Sequence, residues 1–313
     1  MSIRLGYQIP NFTYPGVPVE NLFDTVAAQA REAETAGFDT VLVMDHFYQL
    51  PGIGTPDQNM LEAYTTLGAL ASVTSTIQLS TLVTGNTYRN PALLAKTVTT
   101  LDVVSKGRAI LGIGAGWFER EHHDLGFEFG TFGQRFERLE EALTIIAPML
   151  KGEPGTLDGK WYQARGAMNN PRLRPSIPIM LGGSGEQKTF RLAARFADHM
   201  NIICDVDDLA RKVGVLRERC AEIGRDPATL ATSYLVMGLV GENEQEVKEL
   251  GGLIPEDRRN RAFLGTADQV AEQLHEKVIG AGIDGITINL IPNGHRPGVV
   301  TAVAEALKPI VKA

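Results

Sequence analysis

Asp45 and His46 follow directly on the apolar run Val41-Leu42-Val43-Met44, so an acid and an imidazole arrive together where a buried strand should end. In an α/β barrel the carboxyl ends of such strands form the active face. The pair is therefore placed to meet a ligand, and His46 is the candidate to give or take a proton, because imidazole titrates near physiological pH. Taken alone, the same two residues also read as a turn-capping aspartate beside a satisfied core imidazole. Other apolar runs end in equally unusual chemistry. In Leu79-Ser80-Thr81-Leu82-Val83-Thr84-Gly85-Asn86, the side chains of Thr81, Thr84 and Asn86 are short, neutral hydrogen-bonding groups suited to a polar planar ligand, although Thr is common in strands for packing reasons. Leu111-Gly112-Ile113-Gly114-Ala115-Gly116-Trp117 carries glycine at alternate positions, which either lets a ligand approach the backbone or turns the chain at a barrel rim. Gly182-Gly183-Ser184-Gly185 precedes a helix expected from about Gln187 to Phe196; free N–H groups at a helix start form a simple phosphate site, and Ser184 adds a hydroxyl donor.

These segments need elements to hold them. Strand-like runs at 3–9, 38–45, 77–84, 108–113, 178–182, 199–204, 231–240 and 284–291 alternate with amphipathic helical stretches such as 19–36 and 132–150. Eight strands with helical crossovers fit a TIM barrel. The alternation breaks at 151–177, where glycines and prolines prevent a long helix, and 241–265 reads as mostly helical with a break at Gly251-Gly252.

The chain has 313 residues, a hydrophobic fraction of 43% and a net charge of −7. That charge disfavours nucleic acid and anionic membrane as partners, and the sequence holds no apolar run long enough to span a bilayer. Met1 leads almost directly into the first strand without an export signal, so the expected location is cytoplasmic. With only Cys204 and Cys220, a disulfide framework and a multi-thiolate metal site are excluded by count, and both read as buried thiols. His122 and His123 follow Glu119 and Glu121 without the spacing of a helical zinc motif, and read as solvated loop residues or substrate contacts. There is no G-x-S-x-G elbow and no phosphate-binding G-x-x-x-x-G-K-[ST].

Taken together, Met44-Asp45-His46-Phe47, Leu82-Val83-Thr84-Gly85-Asn86-Thr87-Tyr88-Arg89-Asn90-Pro91, Leu111 to Trp117 and Gly182 to Gly185 resemble the bacterial-luciferase-like superfamily, and within it the branch dependent on coenzyme F420, a deazaflavin. The resemblance covers nearly the whole chain, including Thr100 to Arg108 and Ala193 to Asp198. It implies one luciferase-like TIM-barrel domain over 1–313, with insertions that include the excursion at about 151–177. It also implies a deazaflavin at the strands' C-terminal face, its phosphate at Gly182, Gly183 and Gly185. Asp45, Thr84, Ala115 and Gly116 fall on positions that contact this cofactor in sugar-phosphate dehydrogenases of the branch. A non-proline cis peptide maps to Thr81-Leu82, where it is expected to make a bulge supporting one face of the ring. Homodimerisation is implied too. The glucose-6-phosphate enzymes of the branch place an acid at Trp117, a tryptophan at Leu50 and an asparagine at Arg120. These departures weigh against a sugar phosphate, and Trp117 and Phe118 suggest an apolar substrate pocket.

The expected activity is hydride transfer between F420 and a small alcohol or ketone, imine or enone, with His46 handling the proton and Asp45 orienting it or binding the cofactor. The alternatives are an FMN-dependent monooxygenase of the same superfamily, a metal-dependent barrel hydrolase using Asp45, His46 and His122, and a noncatalytic cofactor-binding paralogue.

Overall fold

Among the residues described by the computed structural model, 3–254 and 256–312, eight parallel strands close on themselves. The strands of the chain are β1 (Arg4–Ile9), β2 (Thr40–Val43), β3 (Gln78–Thr81), β4 (Thr84–Gly85), β5 (Ala109–Gly114), β6 (Gly155–Asp158), β7 (Gln163–Ala167), β8 (Ile179–Gly183), β9 (His199–Ile202), β10 (Ala231–Val240), β11 (Ala262–Gly265) and β12 (Gly285–Asn289). The barrel runs β1, β2, β3, β5, β8, β9, β10, β12 and shuts where β12 pairs with β1, Arg4 opposite Gly285. The helices are α1 (Leu22–Ala36), α2 (Ala63–Val73), α3 (Pro91–Val104), α4 (Glu119–Leu125), α5 (Phe132–Lys151), α6 (Thr189–Phe196), α7 (Leu209–Glu222), α8 (Glu244–Gly251), α9 (Ala267–Lys277) and α10 (Val299–Lys312). No helix of the described residues is long and apolar enough to cross a membrane.

Local chemistry sets the element ends. In α1 the buried Leu22, Val26, Ala30 and Ala33 recur at helical spacing, and Gly37 stops the helix at φ 96°, its N–H returning to the carbonyls of Ala33 and Glu34. A capping box between Thr131 and Gln134 starts α5. Asn90 caps α3 through the N–H groups of Ala92 and Leu93, with Pro91 in the first turn. Val41, Leu42 and Val43 are all buried, as a parallel strand covered on both faces requires. Cys204 and Cys220 are buried free thiols.

Five expectations change. The excursion carries the antiparallel hairpin β6–β7, outside the barrel sheet. The stretch 241–265 ends in β11, which extends the sheet parallel to the last residues of β10. Helix α6 starts at Thr189, two residues late, because the N–H of Phe190 reaches back to the Gly185 carbonyl across a wide turn. The expected third strand is interrupted. Ser80 faces Ile110 and Thr84 faces Ile113, so four steps on one strand match three on the other, which is one extra residue and hence a bulge. The non-proline cis peptide is Leu82-Val83, one bond after the expected Thr81-Leu82. Thr81 is still in register with Val43, and the Leu82 N–H still donates to the Val43 carbonyl, so the ladder leaves its regular path only after Leu82.

The barrel interior is only partly apolar. Leu42, Leu82, Ile110 and Met180 form one small cluster. At the opposite, N-terminal mouth, a cavity of about 30 Å³ is lined by residues including His199, Ser233 and Thr287. His199 Nε2 lies 2.8 Å from Ser233 Oγ. Desolvation, helped by the charge of Arg4, pushes the His199 pKa down to about 4. Its neutral form is thus preferred in the folded chain, so the associated stability is present above the ordinary histidine value and is lost as pH falls toward 4. The loss amounts to at most about 3 kcal/mol. Urea midpoints at pH 7 and pH 4.5 should therefore converge for His199→Gln relative to the parent; equal acid sensitivity in both would remove this assignment.

Candidate active site

The candidate catalytic and cofactor-binding residues follow or end strands at the C-terminal end of the barrel. Asp45 and His46 follow β2, Thr81 ends β3, Thr84 lies in β4 with Asn86 just beyond, Ala115 and Gly116 follow β5, and Gly182, Gly183, Ser184 and Gly185 end or follow β8.

Asp45 is 2% exposed. Its carboxylate accepts from both terminal nitrogens of Arg89, at 2.6 and 2.9 Å, and from the Gly85 N–H at 3.1 Å. Arg89 also donates to Glu62 at 2.7 Å. Burial pushes the Asp45 pKa up, and the Arg89 pair opposes that shift. Asp45 does not orient His46: its hydrogen-bond partners are Arg89 and Gly85. The partner of His46 is Glu121, whose Oε2 stands 2.8 Å from Nδ1. Burial would raise the Glu121 pKa, but hydrogen bonds from His46, Tyr88 and the Tyr48 N–H hold it below its ordinary value. The His46 side chain is 12% exposed, its ring lies 5.7 Å from Trp117 and 5.9 Å from Phe118, and its Nε2 has no protein partner among the described residues. Trp117 is 61% exposed beside it, while Phe118 is buried.

The third-strand residues form a directional chain. Thr81 Oγ1 donates to the Gly112 carbonyl at 2.9 Å, which leaves it to accept from Thr84 at 2.8 Å, while Tyr64 Oη donates to Thr84 at 2.6 Å. Asn86 is buried; its Nδ2 reaches Tyr162 Oη at 3.5 Å, and its Oδ1 has no partner.

The glycines serve the protein's own packing more than expected. A Cβ on Gly112 would lie 2.0 Å from the Thr81 carbonyl oxygen, so Gly112 makes room for the bulged backbone. Hypothetical Cβ atoms on Gly114 and Gly182 would meet Val83 at 2.9 and 2.8 Å. Val83, the residue after the cis bond, packs over the paired ends of β5 and β8, where Gly114 and Gly182 leave it room. Gly183 differs: at φ 137° it has only Thr189 nearby, at 3.5 Å. Helix α6 beyond it begins without a side-chain cap and without an acid in its first turn.

His122 is on a helix and fully buried, not on a solvated loop. Its nitrogens lie 2.7 Å from Thr87 Oγ1 and 2.9 Å from the Phe118 carbonyl, and desolvation lowers its pKa. With Asp45 held by Arg89 and His122 by these partners, the residues named for a metal site have separate engagements. No cluster of three His, Cys, Asp or Glu suited to a metal occurs among the described residues.

A profile of the luciferase-like monooxygenase family matches residues 3–251. The chain belongs to that family. Of its family relatives, an F420-dependent glucose-6-phosphate dehydrogenase of Microbacterium testaceum is 37% identical over 167 residues, 53% of this chain and 48% of that protein. The match thus spans about half that relative's length. A 5,10-methylenetetrahydromethanopterin reductase of Archaeoglobus fulgidus is 29% identical over 307 residues, 87% of this chain and 86% of that protein. The coenzyme F420 dependent tetrahydromethanopterin reductase of Methanopyrus kandleri superposes with a TM-score of 0.81 at 19% identity, over 99% of this chain and 100% of that one, which shows the shared family fold.

Sequence reasoning missed Glu121, Arg89 and Val83 as site-building residues. Arg89 stood inside a quoted motif, a charge just past a strand end. Glu121 had no local signal separating it from Glu119, since only the fold carries it to a residue 75 positions away.

Proposed function

We propose that this protein is an oxidoreductase that exchanges hydride between coenzyme F420 and a small organic substrate of the alcohol or ketone, imine or enone class. The observation that carries the reading is the 37% identity to an F420-dependent dehydrogenase. The residues present fit such a cofactor. Gly183, Ser184, Gly185 and the uncapped start of α6 would receive a phosphate. The bulge at Leu82 and Val83 would support the ring, and the unpartnered Asn86 Oδ1 is a buried acceptor still lacking a donor. Bound F420 supplies a carbon that gives or receives hydride. His46 moves the accompanying proton at Nε2, and Trp117 with Phe118 offers an apolar wall for the substrate.

The test is a side-by-side titration of the protein with F420 and FMN, followed by tryptophan fluorescence. Trp117 lies beside His46, and Trp161 lines a cavity with Thr87, Tyr88 and Tyr162, so both are placed to report. Tight binding of F420 with little response to FMN is expected. Preference for FMN would replace this reading with the monooxygenase one, and binding of neither would end it.

A further inference from the structure

Glu121 entered the sequence reading only as a neighbour of His122 and His123, yet its buried carboxylate accepts four hydrogen bonds. Oε1 takes the backbone N–H groups of Phe47 and Tyr48, at 2.5 and 2.9 Å. Oε2 takes the Tyr88 hydroxyl at 2.6 Å and meets His46 Nδ1 at 2.8 Å. The Tyr88 ring is itself packed, with centroids 5.0 Å from Phe47, 4.9 Å from His122 and 5.2 Å from Phe127, so its hydroxyl is fixed. An ionised carboxylate accepts hydrogen bonds and cannot donate one. The contact with Nδ1 is therefore a hydrogen bond only when Nδ1 carries the proton, and a neutral imidazole protonated there has a bare lone pair on Nε2.

We propose that Glu121 is a positioning residue that locks neutral His46 as the Nδ1–H tautomer, so that Nε2 meets the substrate as a proton acceptor. The inference rests on His46 being the group that handles the proton, and it narrows the substrate met by the neutral ring to one with an O–H or N–H to donate, an alcohol or an amine. In that step the substrate's O–H or N–H bond breaks, its electron pair stays on the heteroatom, and an Nε2–H bond forms. The resulting imidazolium keeps its Nδ1–H on Glu121, which balances the new charge at short range.

Glu121→Gln separates this role from simple packing. The amide keeps one carbonyl oxygen for the Phe47 and Tyr48 N–H groups, but its NH₂ then faces Nδ1 and donates to it, which moves the ring proton to Nε2. The experiment uses protein labelled with ¹⁵N in the imidazoles and long-range ¹H–¹⁵N spectra, with neither cofactor nor substrate, His46 being assigned by the signals lost in His46→Ala. The parent should show the Nδ1–H pattern for neutral His46 and Glu121→Gln the Nε2–H pattern. With an alcohol found by screening against oxidised F420, Glu121→Gln should lower kcat about a hundred-fold with KM within about twofold. An Nε2–H pattern in the parent would overturn the proposal even if the variant failed to fold, and so would a flipped tautomer with undiminished kcat. Because the spectra need no cofactor, an Nδ1–H parent in a protein that ignores F420 would count against the proposed activity and leave the tautomer lock standing.

Discussion

Replacing His46 with alanine is expected to lower turnover by about a hundred- to ten-thousand-fold, the range a positioned general acid or base contributes, while F420 affinity changes little. The imidazole's ion-pair and ring partners are Glu121, Trp117 and Phe118, none of them in the bulge or the glycine loop. Its loss leaves Glu121 with three donors, the Tyr88 hydroxyl and the N–H groups of Phe47 and Tyr48, so the loop after β2 keeps its anchor. Steady-state rates on the first substrate found with F420, alongside the fluorescence titration, separate the possibilities. Turnover within about twofold of the parent would exclude the proton-handling role, and a loss confined to cofactor affinity would make His46 a binding contact instead.

Arg89→Met should cost about 3 to 5 kcal/mol of unfolding free energy, the usual result of stranding one partner of a buried ion pair. Asp45 retains only the Gly85 N–H in that variant, in a site where burial already pushes its pKa up. Without the guanidinium the folded chain favours the protonated acid still more, whereas the unfolded chain ionises near its ordinary value. Stability then falls as pH rises through that window, so the deficit should be larger at pH 8 than at pH 5. Adding Asp45→Asn removes the stranded charge and should restore more than half of the loss. Urea unfolding of the parent, the single variant and the double variant at both pH values checks this. A single variant as stable as the parent would show that solvent or a shifted neighbour already satisfies Asp45.

The two residues illustrate what can be read locally. Asp45 and His46 were legible because an apolar strand ending in two polar groups is a pattern within six residues. Their partners were not, because Arg89 and Glu121 lie 44 and 75 positions away and meet them only once the barrel closes. The same distance dependence put forward Asp45 as an orienting group for His46, one of two roles offered for it, since adjacency in the chain stood in for contact in space. The glycines erred the other way: a missing side chain marks a close approach without saying what approaches, and at Gly112, Gly114 and Gly182 it is the chain's own bulge.

By itself the sequence determined the eight-stranded α/β pattern, the polar and glycine-rich ends of its strands and the kinship with luciferase-like enzymes, because hydrophobic period, turn residues and contiguous motifs are properties of short segments. The tertiary structure alone decided three things: that the bulge begins after Leu82, that Val83 packs over Gly114 and Gly182 at the ends of β5 and β8, and that Glu121 and not Asp45 holds His46. Each depends on which hydrogen-bonding groups are left over once β2, β3, β5 and β8 are paired, and that remainder exists only when the barrel has closed.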